Sequence, residues 1–74
     1  MSLYDWKMRF YHEIYALRGV DGVETDYDEY TEVLTINVSV ESHYDSASDE
    51  EIRSVYYRIT RDCPYTTRIN ISRY

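Results

Sequence analysis

His12, His43 and Cys63 are the only imidazole and thiol groups among 74 residues, so nucleophilic or metal chemistry would have to be built on them and on the carboxylates. An activated serine or cysteine needs a base within hydrogen-bond reach and a third group to orient that base. No Ser, His and Asp arrangement and no Cys and His pairing has such a local signature. His43, Asp45, Asp49 and Glu50 bring nitrogen and oxygen donors into one short stretch, but their spacing fits neither a calcium loop nor a zinc motif, and they read as a solvated loop. Cys63 before Pro64 reads as a small apolar residue at a helix end. Asn37-Val38-Ser39 and Asn70-Ile71-Ser72 match the glycosylation pattern within strand-like stretches, and no secretory signal precedes them, so both read as coincidental. There is no glycine-rich phosphate loop. The sequence predicts no catalytic residue, no cofactor and no metal site.

The chemistry that remains is charge. Fourteen acidic against eight basic residues give a net charge of -6, which opposes direct binding to a phosphate backbone. The distribution is uneven. Residues 1–20 carry Lys7, Arg9 and Arg18 against Asp5 and Glu13, a net +1, and residues 52–74 carry Arg53, Arg58, Arg61, Arg68 and Arg73 against Asp62, a net +4. Asp21, Glu24, Asp26, Asp28, Glu29, Glu32, Glu41, Asp45, Asp49, Glu50 and Glu51 lie between them in a stretch without Lys or Arg, a net -11. A strand places residues i, i+2 and i+4 on one face about 6.5 to 7 Å apart, so Glu24, Asp26 and Asp28 are expected to form an exposed row of carboxylates.

The elements that must position this row follow from periodicity. Ser2 with Asp5 resembles a capping box, and Leu3, Trp6, Phe10, Ile14 and Leu17 follow at helical spacing, with Tyr4, Met8, Tyr11 and Tyr15 as a second stripe. Gly19 is expected to cap that helix in a left-handed conformation. From Val23 the period becomes two: Val23, Thr25 and Tyr27 alternate with the acids, and after a turn at Asp28 to Thr31 so do Leu34, Ile36, Val38 and Val40 with polar residues. The two strands are expected to pair as an antiparallel hairpin. Ser42 to Ala47 reads as a loop. Ser48 with Glu51 is a capping box that opens a second helix with Ile52, Val55, Tyr56 and Ile59 on its apolar side. Pro64 ends the helical stretch, and Thr67, Ile69 and Ile71 alternate into a third strand. The expected fold is α+β, a two-layer sandwich in αββαβ order. A mainly antiparallel three-stranded sheet carries both helices on one face, with the third strand beside the first.

A chain this short buries about 60% of its unfolded surface, so one domain spanning residues 1–74 is expected. No apolar run is long enough for a membrane span, and a cytoplasmic location is expected. Ten tyrosines exceed what so small a core can hold. Tyr15 and Tyr56 are expected at core edges and several others at an interface, where tyrosine combines contact area with a hydroxyl handle. The candidate partner-binding residues are Glu24, Asp26, Tyr27, Asp28, Glu29, Tyr30, Glu32, Tyr44 and Asp45.

In size, acidity and aromatic content the chain resembles small phage-encoded inhibitors of host defence, the anti-CRISPR and anti-restriction proteins that imitate nucleic acid. The resemblance is one of composition and covers no motif. It implies a non-enzymatic inhibitor acting in the host cytoplasm, whose acidic residues meet the Lys and Arg residues of a CRISPR effector or a restriction enzyme. The alternative is a small structural or assembly module that self-associates, as a homodimer, through the aromatic face of its first helix.

Overall fold

The computed structural model describes all residues from Met1 to Tyr74. Helix α1 spans Leu3–Tyr15, strand β1 Val20–Asp28, strand β2 Val33–Val40, helix α2 Asp49–Thr60 and strand β3 Thr66–Arg73. Both helices start where the polar residues demand it. The Ser2 hydroxyl accepts from the Asp5 amide while the Asp5 carboxylate accepts from the Ser2 amide, and Ser48 and Glu51 repeat the exchange at the head of α2. Each box satisfies two amides that the first helical turn leaves without partners.

One face of the sheet and one side of each helix form a single core. Trp6, Phe10 and Ile14 of α1 and Ile52, Tyr56 and Ile59 of α2 are buried against Val20, Val23, Leu34, Ile36, Val38 and Val40. Both helices therefore cover the same face of the sheet, as the alternation requires. Tyr56 is buried and its hydroxyl lies 2.7 Å from the Thr67 hydroxyl, which ties α2 to β3. Tyr15 is 46% exposed and belongs to the surface, contrary to its expected place at the core edge, because the helix ends there and turns its last ring outward to stack on Tyr11.

The strand order is β1-β2-β3, with β1 antiparallel and β3 parallel to β2. Two expectations need correction. The sheet is mixed rather than mainly antiparallel, and β3 lies beside the second strand rather than the first. The reason lies in β2, whose inward residues Leu34, Ile36, Val38 and Val40 are all fully or nearly fully buried, as suits a central strand. A central β1 would instead hold Glu24, Asp26 and Asp28 between two neighbouring strands, and at the edge they keep their water. The connection through α2 is long enough to return the chain to the same end of the sheet, which makes β3 parallel.

Gly19 is left-handed, with φ of 81°, but it does not cap α1, which ends at Tyr15 with Ala16 as its cap. It forms the turn into β1 instead. Its carbonyl accepts from the Glu41 amide, and the Arg18 carbonyl accepts from the Ala47 amide, so the loop after β2 is pinned to the turn before β1.

Ion pairs join the helices to each other and to the sheet. Glu13 of α1 accepts from Arg9, one turn earlier, and from Arg58 of α2, both at 3.0 Å. Partial burial pushes the Glu13 carboxyl up, and hydrogen bonds and charge from Arg9 and Arg58 more than reverse this, leaving it below the ordinary glutamate range. A depressed carboxyl stabilises the fold above its unfolded value, about 4.3, and that contribution disappears as pH falls through the folded value. Because these side chains are about a third exposed or more, Glu13→Gln is expected to cost only about 1 kcal/mol at pH 7. Urea unfolding should show the two proteins converging as pH falls below the ordinary glutamate range. A difference that persists unchanged into acid would mean that the ion pairs contribute nothing.

Candidate protein-binding surface

The register fixes which side chains share the face that no helix covers. Glu24, Asn37 and Asn70 form one cross-sheet row, Asp26, Thr35 and Arg68 the next, and Asp28, Val33 and Thr66 the last. Glu24, Asp26 and Asp28 are all exposed, on the free edge of the sheet. Adjacent carboxylates spaced at a strand's two-residue repeat repel by about 0.6 kcal/mol per pair at the dielectric of water. No ion pair within the chain offsets this repulsion.

No arginine forms an ion pair with the row. Arg9 and Arg58 are engaged by Glu13, Arg18 by Glu51, and Arg73 by Asp49 at 2.6 Å, while His43 lies 3.2 Å from Glu41. None of these pairs includes Glu24, Asp26, Asp28, Glu29 or Glu32. Arg68 is the one guanidinium in register with the row, and β2 stands between it and Asp26. It forms no ion pair with the row, although its side chain lines the same concavity as Asp28.

At the end of the row the chain turns through residues 29–32. One carboxylate oxygen of Asp28 accepts from the amides of Tyr30 and Thr31, and the Glu32 amide donates to the Asp28 carbonyl at 2.7 Å. Asp28 is thus both the last charge of the row and the residue that shapes the tip. Tyr30 is fully exposed there, with Glu29 and Glu32 exposed on either side.

The nine candidate residues do not form one patch. Glu24, Asp26, Asp28, Glu29, Tyr30 and Glu32 run continuously along the β1 edge and round the hairpin tip. Tyr27 points to the other face, half-buried, with its ring edge-to-face against Tyr65 at 5.7 Å. Tyr44 and Asp45 are exposed in the loop after β2, at the opposite end of the hairpin and about 25 Å from the tip by strand length. Strand parity separates Tyr27 from its neighbours, and the direction of β2 separates the loop.

Three features were beyond sequence reasoning. Tyr65 meets Tyr27 only because β3 begins at Thr66 opposite Val33, which requires the strand order. Arg73 reaches Asp49 and the Ala47 carbonyl, and Arg58 reaches Glu13, across separations of 24 to 45 residues. Periodicity carries no signal for such pairs. His43, Asp45, Asp49 and Glu50 do not converge with one another: His43 faces Glu41 and Asp49 is taken by Arg73. No helix is long and apolar enough to cross a membrane. No protein-family model matches the chain, and neither a curated protein nor a solved structure matches it.

Proposed function

We propose that this chain is a non-enzymatic inhibitor that lays its acidic β1 edge and hairpin tip against the basic, nucleic-acid-binding surface of another protein. The observation that carries this reading is the absence of any ion pair to Glu24, Asp26, Asp28, Glu29 or Glu32 while four of the chain's arginines are held by other acids. A phosphate strand presents a regular line of anions to such a surface, and a carboxylate row on an edge strand offers the same charge in a comparable array. The compositional likeness to anti-CRISPR and anti-restriction proteins suggests a CRISPR effector or a restriction enzyme as partner. Steering between opposite charges would make association fast and salt-sensitive.

The test is capture of a CRISPR effector or restriction enzyme on the immobilised chain at low salt, followed by elution with duplex DNA. The expected result is release by DNA and by about 0.5 M salt, where the Debye length is a few ångströms. Capture that DNA does not compete would contradict the reading.

A second reading is favoured by one observation. Tyr4 is 67% and Tyr15 46% exposed on α1, and Tyr11 stacks on Tyr15 with ring centroids 5.4 Å apart, which leaves an aromatic strip without a partner in the chain. Self-association through this strip would bury apolar area that a small domain cannot hide alone. Sedimentation over a concentration series separates the two readings, because a dimer indifferent to salt belongs to the second.

A further inference from the structure

The two concavities of the molecule flank the hairpin tip, and Thr31 and Thr66 line both. The first, of about 330 Å³, opens between Asp28, Thr35 and Arg68 and so already contains a cation of its own. The second, of about 310 Å³, is lined by Tyr27, Thr31, Glu32, Pro64, Tyr65 and Thr66. It holds two aromatic rings and an acid and no basic residue. Its volume lies at the lower end of the range for ligand sites, the size for one side chain rather than a whole metabolite.

The chemistry of the lining selects the occupant. The faces of aromatic rings attract cations, and the attraction grows when water is partly excluded. Burial pushes the Tyr27 hydroxyl above its ordinary range, and the carboxylates of Glu32 and Glu29, with Tyr65 when it too is ionised, push it further in the same direction. By geometry as well, Tyr27 is half-buried and Glu32 sets a carboxylate in the same lining. Glu32 also has φ of 57°, a left-handed conformation that glycine adopts freely and glutamate does not. Backbone strain of this kind at a cleft-lining residue marks Glu32 as the position to test.

We infer that this second cleft receives one cationic side chain of the partner, an arginine in preference to a lysine, set against the Tyr27–Tyr65 pair and neutralised by Glu32. A planar guanidinium stacks on a ring while donating to a carboxylate, which an ammonium does less well. The inference rests on the proposed function, since it assigns a specific contact to the hairpin tip of that basic-surface inhibitor.

The experiment titrates the intact chain with N-acetyl-arginine amide, N-acetyl-lysine amide and the uncharged N-acetyl-norleucine amide, and follows the ring resonances of Tyr27 and Tyr65 and the Glu32 amide by NMR. Saturable shifts are expected with the arginine compound at a Kd of about 1 to 10 mM, several-fold weaker with lysine and absent with norleucine. Glu32→Gln and Tyr65→Leu should each weaken the arginine Kd at least about 5-fold. Glu32→Gly should weaken it equally while raising Tm by about 4 °C through relief of the left-handed backbone. Equal shifts with norleucine, or an unchanged Kd in Glu32→Gln, would overturn the inference. DNA-competed capture that persists while the arginine titration fails would remove the cleft and leave the proposed function standing, and the opposite pair of results would do the reverse.

Discussion

Replacing Glu24 and Asp26 by lysine and Asp28 by asparagine is expected to weaken partner capture by at least about 100-fold at low salt. Two of these changes convert an attraction to a basic surface into a repulsion, and like charges facing each other across an interface cost several kcal/mol, against about 1.4 kcal/mol per tenfold in affinity. Asparagine is chosen at position 28 because its side-chain oxygen can still accept from the amides of Tyr30 and Thr31 and so keep the turn while the charge goes. The row is exposed and makes no ion pair, so the fold should lose no more than about 1 kcal/mol. Capture is measured by surface plasmon resonance and stability by urea unfolding of the same samples. Undiminished capture in a folded triple variant would mean that the β1 edge does not face the partner.

The second large effect concerns the fold. Gly19→Ala is expected to destabilise the domain by about 2 to 4 kcal/mol. The left-handed backbone alone costs a residue with a Cβ about 1 to 2 kcal/mol. The added methyl would also clash with the Ser46 hydroxyl oxygen and stand 2.7 Å from Ser46 Cβ and 3.1 Å from the Glu41 carbonyl oxygen. Ser46 cannot step aside freely, because its hydroxyl accepts from the His43 amide and donates to the Glu41 carbonyl at 2.7 Å. Overpacking of this kind costs about 1 to 3 kcal/mol. For a 74-residue domain the midpoint should fall by about 10 °C or more. Thermal unfolding followed by circular dichroism provides the check, and a Tm within 3 °C of the parent, on the order of 0.5 kcal/mol, would show that the loop yields.

What could be read from the sequence is what local pairing and periodicity encode. Ser48 and Glu51 name the start of α2, and the alternation of Leu34, Ile36, Val38 and Val40 names the inward face of β2. The same parity places Glu24, Asp26 and Asp28 together on the outer face. What could not be read depends on relations between distant segments. Strand order is decided by which strand can afford neighbours on both edges, and that is a comparison between β1 and β2 rather than a property of either. Gly19 was legible as a left-handed residue, but whether it closes a helix or opens a strand depends on the Glu41 to Ala47 loop that docks on it. The same limit hides the cleft, whose rings come from residues 38 positions apart and meet only in a sheet with β3 beside β2.

The interior and the surface of this chain solve different problems. Thirteen buried residues, none of them charged, hold the two layers together, so the acids carry no weight in the core. Long-range ion pairs use Glu13, Asp49 and Glu51 to fasten distant segments to one another. The hairpin acids fasten nothing, apart from the Asp28 contact that shapes the tip. Negative potential is thereby left unpaired along the β1 edge and the tip.

Titration of isotopically labelled protein with a hexa-arginine peptide tests it most directly, because a flexible polycation settles where the potential is most negative. The largest amide shifts are expected at Glu24 to Glu32 and should vanish at about 0.5 M salt. Largest shifts at Asp49 and Glu50, or around Glu41 to Asp45, would place the anionic surface away from the β1 edge.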